Sequence, residues 1–340
     1  MPDRVLFLFR AADEVRAYLE EELADLPLEL DFPTEVSREA LRERAPGAKV
    51  LVGWRYDKEL LEAARDCRVC INPGAGVQHL IPLFRDRLSA VEPPATSAPP
   101  ILVNSHGNAA LTAQGAVALL LSLSNRTAYH DASLRRGEWN RSFRREEEPV
   151  PSVRLTDRRL GLLGYGHVNR EVRRLLAPFA MECHIFRRRP ENEPASVVHS
   201  ELNSFLDAVD ILVAAVPLTS ATKGMLGATE LDRLGPNGLL VHVGRGEVLD
   251  QDALFVALRD RRIAGAAIDV WYDYSPEPDS EGRRFPYQRP FHELDSVVLS
   301  PHRAASPFAD IPRWKDVSEN LRRFAKGRPL RHQVDLTAEY

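Results

Sequence analysis

The sequence predicts an α/β fold made of two Rossmann-like, parallel-sheet domains. Short continuous apolar runs of strand length recur along the chain, and segments with helical apolar spacing alternate with them. A glycine turn between one such run and one such helix stands near the middle. At 340 residues the chain is long for one core and comfortable for two. Hydrophobic residues at 44% and charged residues at 28% describe an ordinary globular protein. A net charge of -4 leaves no electrostatic footprint for nucleic acid.

Residues 5–9 (VLFLF) read as a strand buried on both faces, and Val15, Tyr18, Leu19 and Leu23 follow at helical spacing. Residues 49–53 form a second strand, Leu60-Leu61 with Ala63-Ala64 a helix, and residues 69–72 a third strand. That strand runs into Pro73-Gly74-Ala75-Gly76-Val77, a glycine loop beyond a carboxyl end, where α/β folds place ligands. Cys67 and Cys70 make a C-x-x-C. Placed on a strand, residues three apart face opposite ways, so their thiols are not expected to converge and no metal site is expected. Residues 89–100, with five prolines, are a connecting loop before a strand at 101–104. Residues 108–125 form the most apolar helix, too short and interrupted to span a bilayer. Being apolar nearly all round, it is expected to be buried between the two domains. A polar, basic helix is expected at 134–139 and an exposed loop at 141–151.

Residues 159–190 carry the glycine turn. Leu160 to Leu163 is a strand, Gly164-Tyr165-Gly166 the turn, and Val168, Val172, Leu175, Leu176 and Phe179 mark the helix. Glycines here let a backbone approach a pyrophosphate seated on the helix amides, so the segment points to a dinucleotide. Asn169 occupies the third glycine position of G-x-G-x-x-G and is expected to widen the helix–strand contact slightly. Strands follow at 211–216, 239–243, 266–270 and 297–299, with a helix at 253–259 and another at 314–324. No run reaches membrane-spanning length, and the N-terminal stretch is too short and too acidic for a signal peptide, so a cytoplasmic protein is expected.

Arg245, Asp269 and His302 each end or follow an apolar run, which places all three at the carboxyl edge of one sheet. A histidine can give a proton to a carbonyl oxygen, a forked guanidinium can hold a carboxylate, and an aspartate beside the histidine would orient it.

These residues resemble the D-isomer-specific 2-hydroxyacid dehydrogenase family. The segments that carry the likeness are GAGVQHL (74–80), LLGYGHV (162–168), VPLTSATKGMLG (216–227), LLVHVGRGEVLDQDALFVALRDRRIAGAAIDVW (239–271) and LSPHRA (299–304). The resemblance implies a substrate domain from residues 1–103 and 303–340, flavodoxin-like, with a dinucleotide-binding domain at 104–302 and the active site in the cleft. It implies Arg245 as carboxylate anchor, His302 as general acid/base, and Ala75, Gly76 and Val77 as backbone carboxylate binders with Asn108 nearby. For the cofactor it implicates Gly164, Gly166, His167, Val168, Val216, Pro217, Thr222, Val243, Gly244 and Asp269, the last toward the nicotinamide amide. It also implies a homodimer and a small 2-keto or 2-hydroxy acid, of the glyoxylate or hydroxypyruvate kind, as substrate.

Three departures stand against that pattern. The catalytic glutamate expected five residues after Asp269 falls on Tyr274, unless a three-residue insertion moves it to Glu277; Glu277 is slightly favoured. Arg187 and Arg188, with Arg189, replace the acidic residue for a ribose 2′-hydroxyl, so NADP(H) is favoured over NAD(H). Gln114 stands in place of a helix glutamate. A formate- or phosphonate-type dehydrogenase and a non-catalytic dinucleotide sensor are the alternatives.

Overall fold

The computed structural model describes residues 2–89, 99–139, 151–188, 193–307 and 311–340. Nearly all of the loops expected at 89–100 and 141–151, and Arg189, lie outside the described residues. The chain divides into two compact units, residues 1–108 with 307–340, and residues 109–306.

In the first unit, β1 (Asp3–Phe7), β2 (Leu28–Asp31), β3 (Ala48–Val52), β4 (Val69–Ile71) and β5 (Ile101–Val103) form a parallel sheet in the order β2-β1-β3-β4-β5. Alternation along each strand fills two cores. Leu6, Leu51, Cys70 and Leu102 face one way, and Val5, Phe7, Val50, Val52, Ile71 and Val103 the other. Burial on both faces is why these strands are apolar throughout. The helices of this unit are α1 (Asp13–Glu22), α2 (Arg38–Arg44), α3 (Lys58–Ala63), α4 (Ile81–Ser89) and α11 (Lys315–Ala325); α1 and α11 cover the second face with Val15, Leu19, Val317 and Leu321. One expectation fails: Cys67 and Cys70 Sγ lie 3.8 Å apart. Cys67 precedes β4 in a turn, so strand alternation does not separate it from Cys70.

In the second unit, seven parallel strands are ordered β12-β11-β10-β9-β6-β7-β8 among the described residues. They are β6 (Arg159–Leu163), β7 (Glu182–Phe186), β8 (Val197–His199), β9 (Ile211–Ala214), β10 (Leu239–His242), β11 (Gly265–Ile268) and β12 (Val297–Leu299), and α7 (His167–Leu176), α8 (Leu202–Asp207), α9 (Ala228–Leu234) and α10 (Gln251–Arg259) lie between them. The order reverses direction at β6 and β9, the switch point where such sheets open a crevice at their carboxyl ends. α5 (Ala109–Ser124) buries only one stripe, Ala113, Ala116, Leu120 and Leu123, while Ala118 is exposed. The expectation of burial all round is therefore corrected: small residues on the stripe let the helix lie close to its own unit. A side chain at Gly115 would run into the Ala304 backbone, 2.5 Å from its carbonyl oxygen. The following helix, α6, spans Thr127–Arg135 rather than 134–139, and leaves Leu134 and Trp139 exposed. No helix among the described residues is long and apolar enough to cross a membrane.

Candidate active site

Arg245, His242 and Gly246 form the sharp exit from β10. His242, fully buried, directs Nε2 at the Arg245 carbonyl oxygen over 2.8 Å, so that nitrogen carries the proton and donates. Burial lowers the His242 pKa to about 4, although nearby backbone carbonyls favour its proton, and the ring is neutral near pH 7. Gly246 packs against the Trp271 backbone so tightly that no side chain would fit. The Arg245 guanidinium donates to the Gly244 carbonyl oxygen (2.7 Å), and no carboxylate among the described residues pairs with it. Desolvation lowers its pKa, opposed by the Tyr274 phenol.

His302 is carried by a turn in the left-handed region, at φ 56°. Asp269 builds that turn: its Oδ1 accepts from the Arg303 N–H (2.6 Å), the Ala304 N–H (3.0 Å) and the Ser300 hydroxyl. Trp271 Nε1 adds a bond to the Ser300 carbonyl oxygen (2.8 Å). The backbone N–H of Asp269 donates to the His242 carbonyl oxygen, so β10 and β11 tie the Arg245 and His302 turns together. Desolvation lowers the His302 pKa, Asp269 raises it in part, and Arg245 lowers it further.

The residue against His302 is Tyr274. The two rings meet edge-to-face with centroids 5.3 Å apart, and the phenol oxygen lies 3.5 Å from the Trp271 backbone nitrogen. Glu277, slightly favoured from the sequence, sits exposed farther along the loop. Among the described residues it is the ungapped position, Tyr274, that meets the His302 ring, and no hydrogen bond or ion pair joins Glu277 to His302.

At the switch point, Gly164 adopts φ 80°, and a side chain there would meet Val216 at 2.7 Å. Gly166 begins α7 (His167–Leu176), and a side chain added to it would meet nothing within 4 Å. Gly166, at the N-cap of α7, has no side chain to cap it, so the positive dipole end of the helix can face an anion. Asn169 is buried and directs Nδ2 at the carbonyl oxygens of Gly164 (2.7 Å), Leu163 (3.1 Å) and Val213 (3.3 Å). It pins the turn, where slight widening was expected. Thr222 donates to the Pro217 carbonyl oxygen (2.6 Å) and accepts from the Thr219 N–H, shaping the loop that carries Val216. Val243 and Gly244 are buried beside it, with Gly244 set against the Val216 backbone. His167 is exposed and Val168 half-buried in the first turn of α7.

The first unit carries a glycine loop beyond the end of β4. Asn72 Nδ2 donates to the Gly74 and Gly76 carbonyl oxygens (2.6 and 3.1 Å), and Asn104 Nδ2 to that of Ala75 (2.9 Å). With its carbonyls held inward, the loop leaves the amides of Ala75, Gly76 and Val77 without a protein acceptor among the described residues. Asn108 is half-buried just before α5.

The family model for the D-isomer specific 2-hydroxyacid dehydrogenase NAD-binding domain matches residues 117–304, more than half the chain. The chain belongs to this family. It is accordingly an NAD(P)-dependent oxidoreductase of the 2-hydroxyacid dehydrogenase kind. It is 31% identical to a glyoxylate reductase of Thermococcus litoralis, over 87% of this chain and 85% of that protein. It is 28% identical to a D-3-phosphoglycerate dehydrogenase of Archaeoglobus fulgidus over 91% of this chain, but spans only 55% of that relative's length. Its fold matches an NADPH-dependent glyoxylate/hydroxypyruvate reductase of Sinorhizobium meliloti solved with NADP and malonate. That match has a TM-score of 0.76 and 22% identity, and covers 99% of this chain and 98% of that one.

The second unit fits the dinucleotide that this family binds. The close Gly164 turn, the open space at Gly166 and the dipole end of α7 are what a pyrophosphate needs. His242, Asn72, Asn104 and Asn169 were not singled out as supports from the sequence. For His242, Asn72 and Asn104 the signal is weak, because a polar residue ending an apolar strand reads equally well as the start of a loop; Asn169 stands in the first turn of α7, where only its place in the glycine motif marked it.

Proposed function

We propose that this dehydrogenase reduces a small 2-keto acid, of the glyoxylate or hydroxypyruvate kind, to the D-2-hydroxy acid, with NADP(H) favoured over NAD(H). The observation that carries the reading is the pair of turns at one sheet edge. One offers a guanidinium with no carboxylate partner among the described residues, the other an imidazole on a turn that Asp269 holds through backbone N–H groups. Relatives named as glyoxylate reductases support the substrate class.

A nicotinamide held by the second unit would supply hydride to the carbonyl carbon of the keto acid, or accept it from the carbinol carbon of the hydroxy acid. Arg245 holds the substrate carboxylate by a two-pronged charged hydrogen bond and draws electron density toward the carbonyl oxygen. His302 gives that oxygen its proton in reduction and takes it back in oxidation. Its lowered pKa means the neutral form prevails near pH 7, so the proton must be picked up for each reduction. The free amides of Ala75, Gly76 and Val77 bind carboxylate from the backbone, and Asn108 faces the substrate. His167, Val168, Pro217, Thr222, Val243 and Gly244 line the dinucleotide, Asp269 serves the nicotinamide amide as well as the His302 turn, and Arg187 and Arg188 receive a 2′-phosphate. We assign the substrate domain to both chain ends. We also infer a homodimer, with Leu134 and Trp139 of the second unit at the interface.

A panel of 2-keto acids assayed with NADPH and NADH tests the reading. Replacing His302 or Arg245 with Ala should lower kcat/KM by at least about a hundredfold while dinucleotide binding persists. Full activity in either variant overturns the mechanism. A flat panel for the unaltered protein overturns the activity and leaves a dinucleotide sensor.

A further inference from the structure

Three guanidinium groups of the second unit converge on one carboxylate beyond the end of β7. Glu193 lies 3.4 Å from Arg187, 3.5 Å from Arg170 and 3.8 Å from Arg173. Arg187 follows β7 directly, at the position that meets the 2′ side of an adenosine ribose in this fold. Arg170 and Arg173 come from successive turns of the same face of α7, whose N-cap is Gly166. Tyr165 of the glycine turn braces both. Its hydroxyl accepts from Arg173 (2.8 Å), and its ring lies under Arg170 at 4.9 Å and Arg173 at 5.9 Å. Arg173 is further held by the Pro194 and Ala195 carbonyl oxygens. The Glu193 side chain is only 17% exposed, so it sits within the cluster rather than on its rim.

We propose that Glu193 is an internal occupant of the anion site formed by Arg170, Arg173 and Arg187, and that it sets the balance between NADP(H) and NAD(H). This rests on the dinucleotide reading of the second unit and goes beyond it by naming the residue that discriminates. A cluster of arginines alone would favour a 2′-phosphate without restraint. With Glu193 in place, an arriving phosphate dianion competes for the same guanidinium groups and does so beside a like charge, which partial burial leaves less screened. A 2′-hydroxyl has the opposite relation to this carboxylate: it can donate to Glu193, as it does to the acidic residue of NAD-type sites. One side chain therefore weakens NADPH and supports NADH.

Binding of NADPH and of NADH, followed by nicotinamide fluorescence on the full chain, tests this without depending on turnover. Glu193→Gln keeps the shape and removes the charge. It should tighten NADPH by at least about fivefold, which is already the upper range for an exposed ion pair, and weaken NADH. Adding Arg187→Gln to E193Q should cancel the NADPH gain. An unchanged ratio, or one moved toward NADH, overturns the proposal whatever the unaltered protein prefers. If the unaltered protein binds NADH more tightly yet E193Q moves toward NADPH, the proposal stands and the NADP(H) preference falls. Failure of the unaltered protein to bind either dinucleotide overturns both.

Discussion

Tyr274 against His302 changes what the general acid can do. A carboxylate in that position would stabilise the imidazolium; a phenol ring gives an edge-to-face contact and desolvation instead. The His302 pKa is lowered, with burial the largest cause, so the protonated form needed for reduction is lost as pH rises through a value below that of an ordinary histidine. Keto-acid reduction should therefore fall off at lower pH than a carboxylate-paired histidine would give. Tyr274→Glu should move the fall in kcat/KM upward by about one unit, and Glu277→Gln should leave the profile where it is. A profile that follows Glu277 instead would return the catalytic carboxylate to that residue. Arg245, Asp269 and His302 were readable because each interrupts an apolar run. The choice between Tyr274 and Glu277 was not, because both fit a loop whose path depends on packing rather than on pattern.

At the scale of elements, most strands were visible because a strand buried on both faces has few alternatives to a continuous apolar run. β2 escaped notice as a half-buried edge strand with two acidic residues, and β8 as three residues flanked by polar ones. The turn from β6 to α7 was visible through its glycines, whereas its stabilising residue was not. Asn169 does by side-chain hydrogen bonds what close glycine packing does elsewhere, filling the helix–strand contact and tying it to three carbonyl oxygens. Asn169→Ala should cost about 1–3 kcal/mol of stability, since it leaves buried carbonyls with fewer donors. It should also weaken NADPH and NADH alike, because the turn serves the pyrophosphate that both carry. Denaturant titration alongside the two binding measurements checks this; a loss confined to one dinucleotide would show that Asn169 acts on the ribose end instead.

For the molecule as a whole, the division into two units means that no single unfolding transition need describe it, so acid sensitivity is best followed in one unit. His242 makes the second unit acid-sensitive. It is fully buried at the centre of the sheet, with Nε2 committed to the Arg245 carbonyl and Nδ1 without a hydrogen-bond partner. Its pKa falls from 6.5 to about 4 on folding. Below pH 6.5 the unfolded chain takes up a proton that the folded ring refuses until about pH 4. The unfolded state therefore binds more protons across that window, and stability falls as pH drops through it, by up to ~3 kcal/mol. The contribution is complete above pH 6.5 and gone below about pH 4. His242→Gln keeps a donor at the same bond count from the backbone but cannot titrate. Amide exchange in β10 should accelerate between pH 6.5 and 4.5 more steeply in the unaltered protein than in H242Q, after correction for the intrinsic pH dependence of exchange. Equal slopes would mean that the buried imidazole is not the acid-sensitive group, and that carboxylates such as Asp210, which pairs with Arg159 at the start of β6, carry the loss instead.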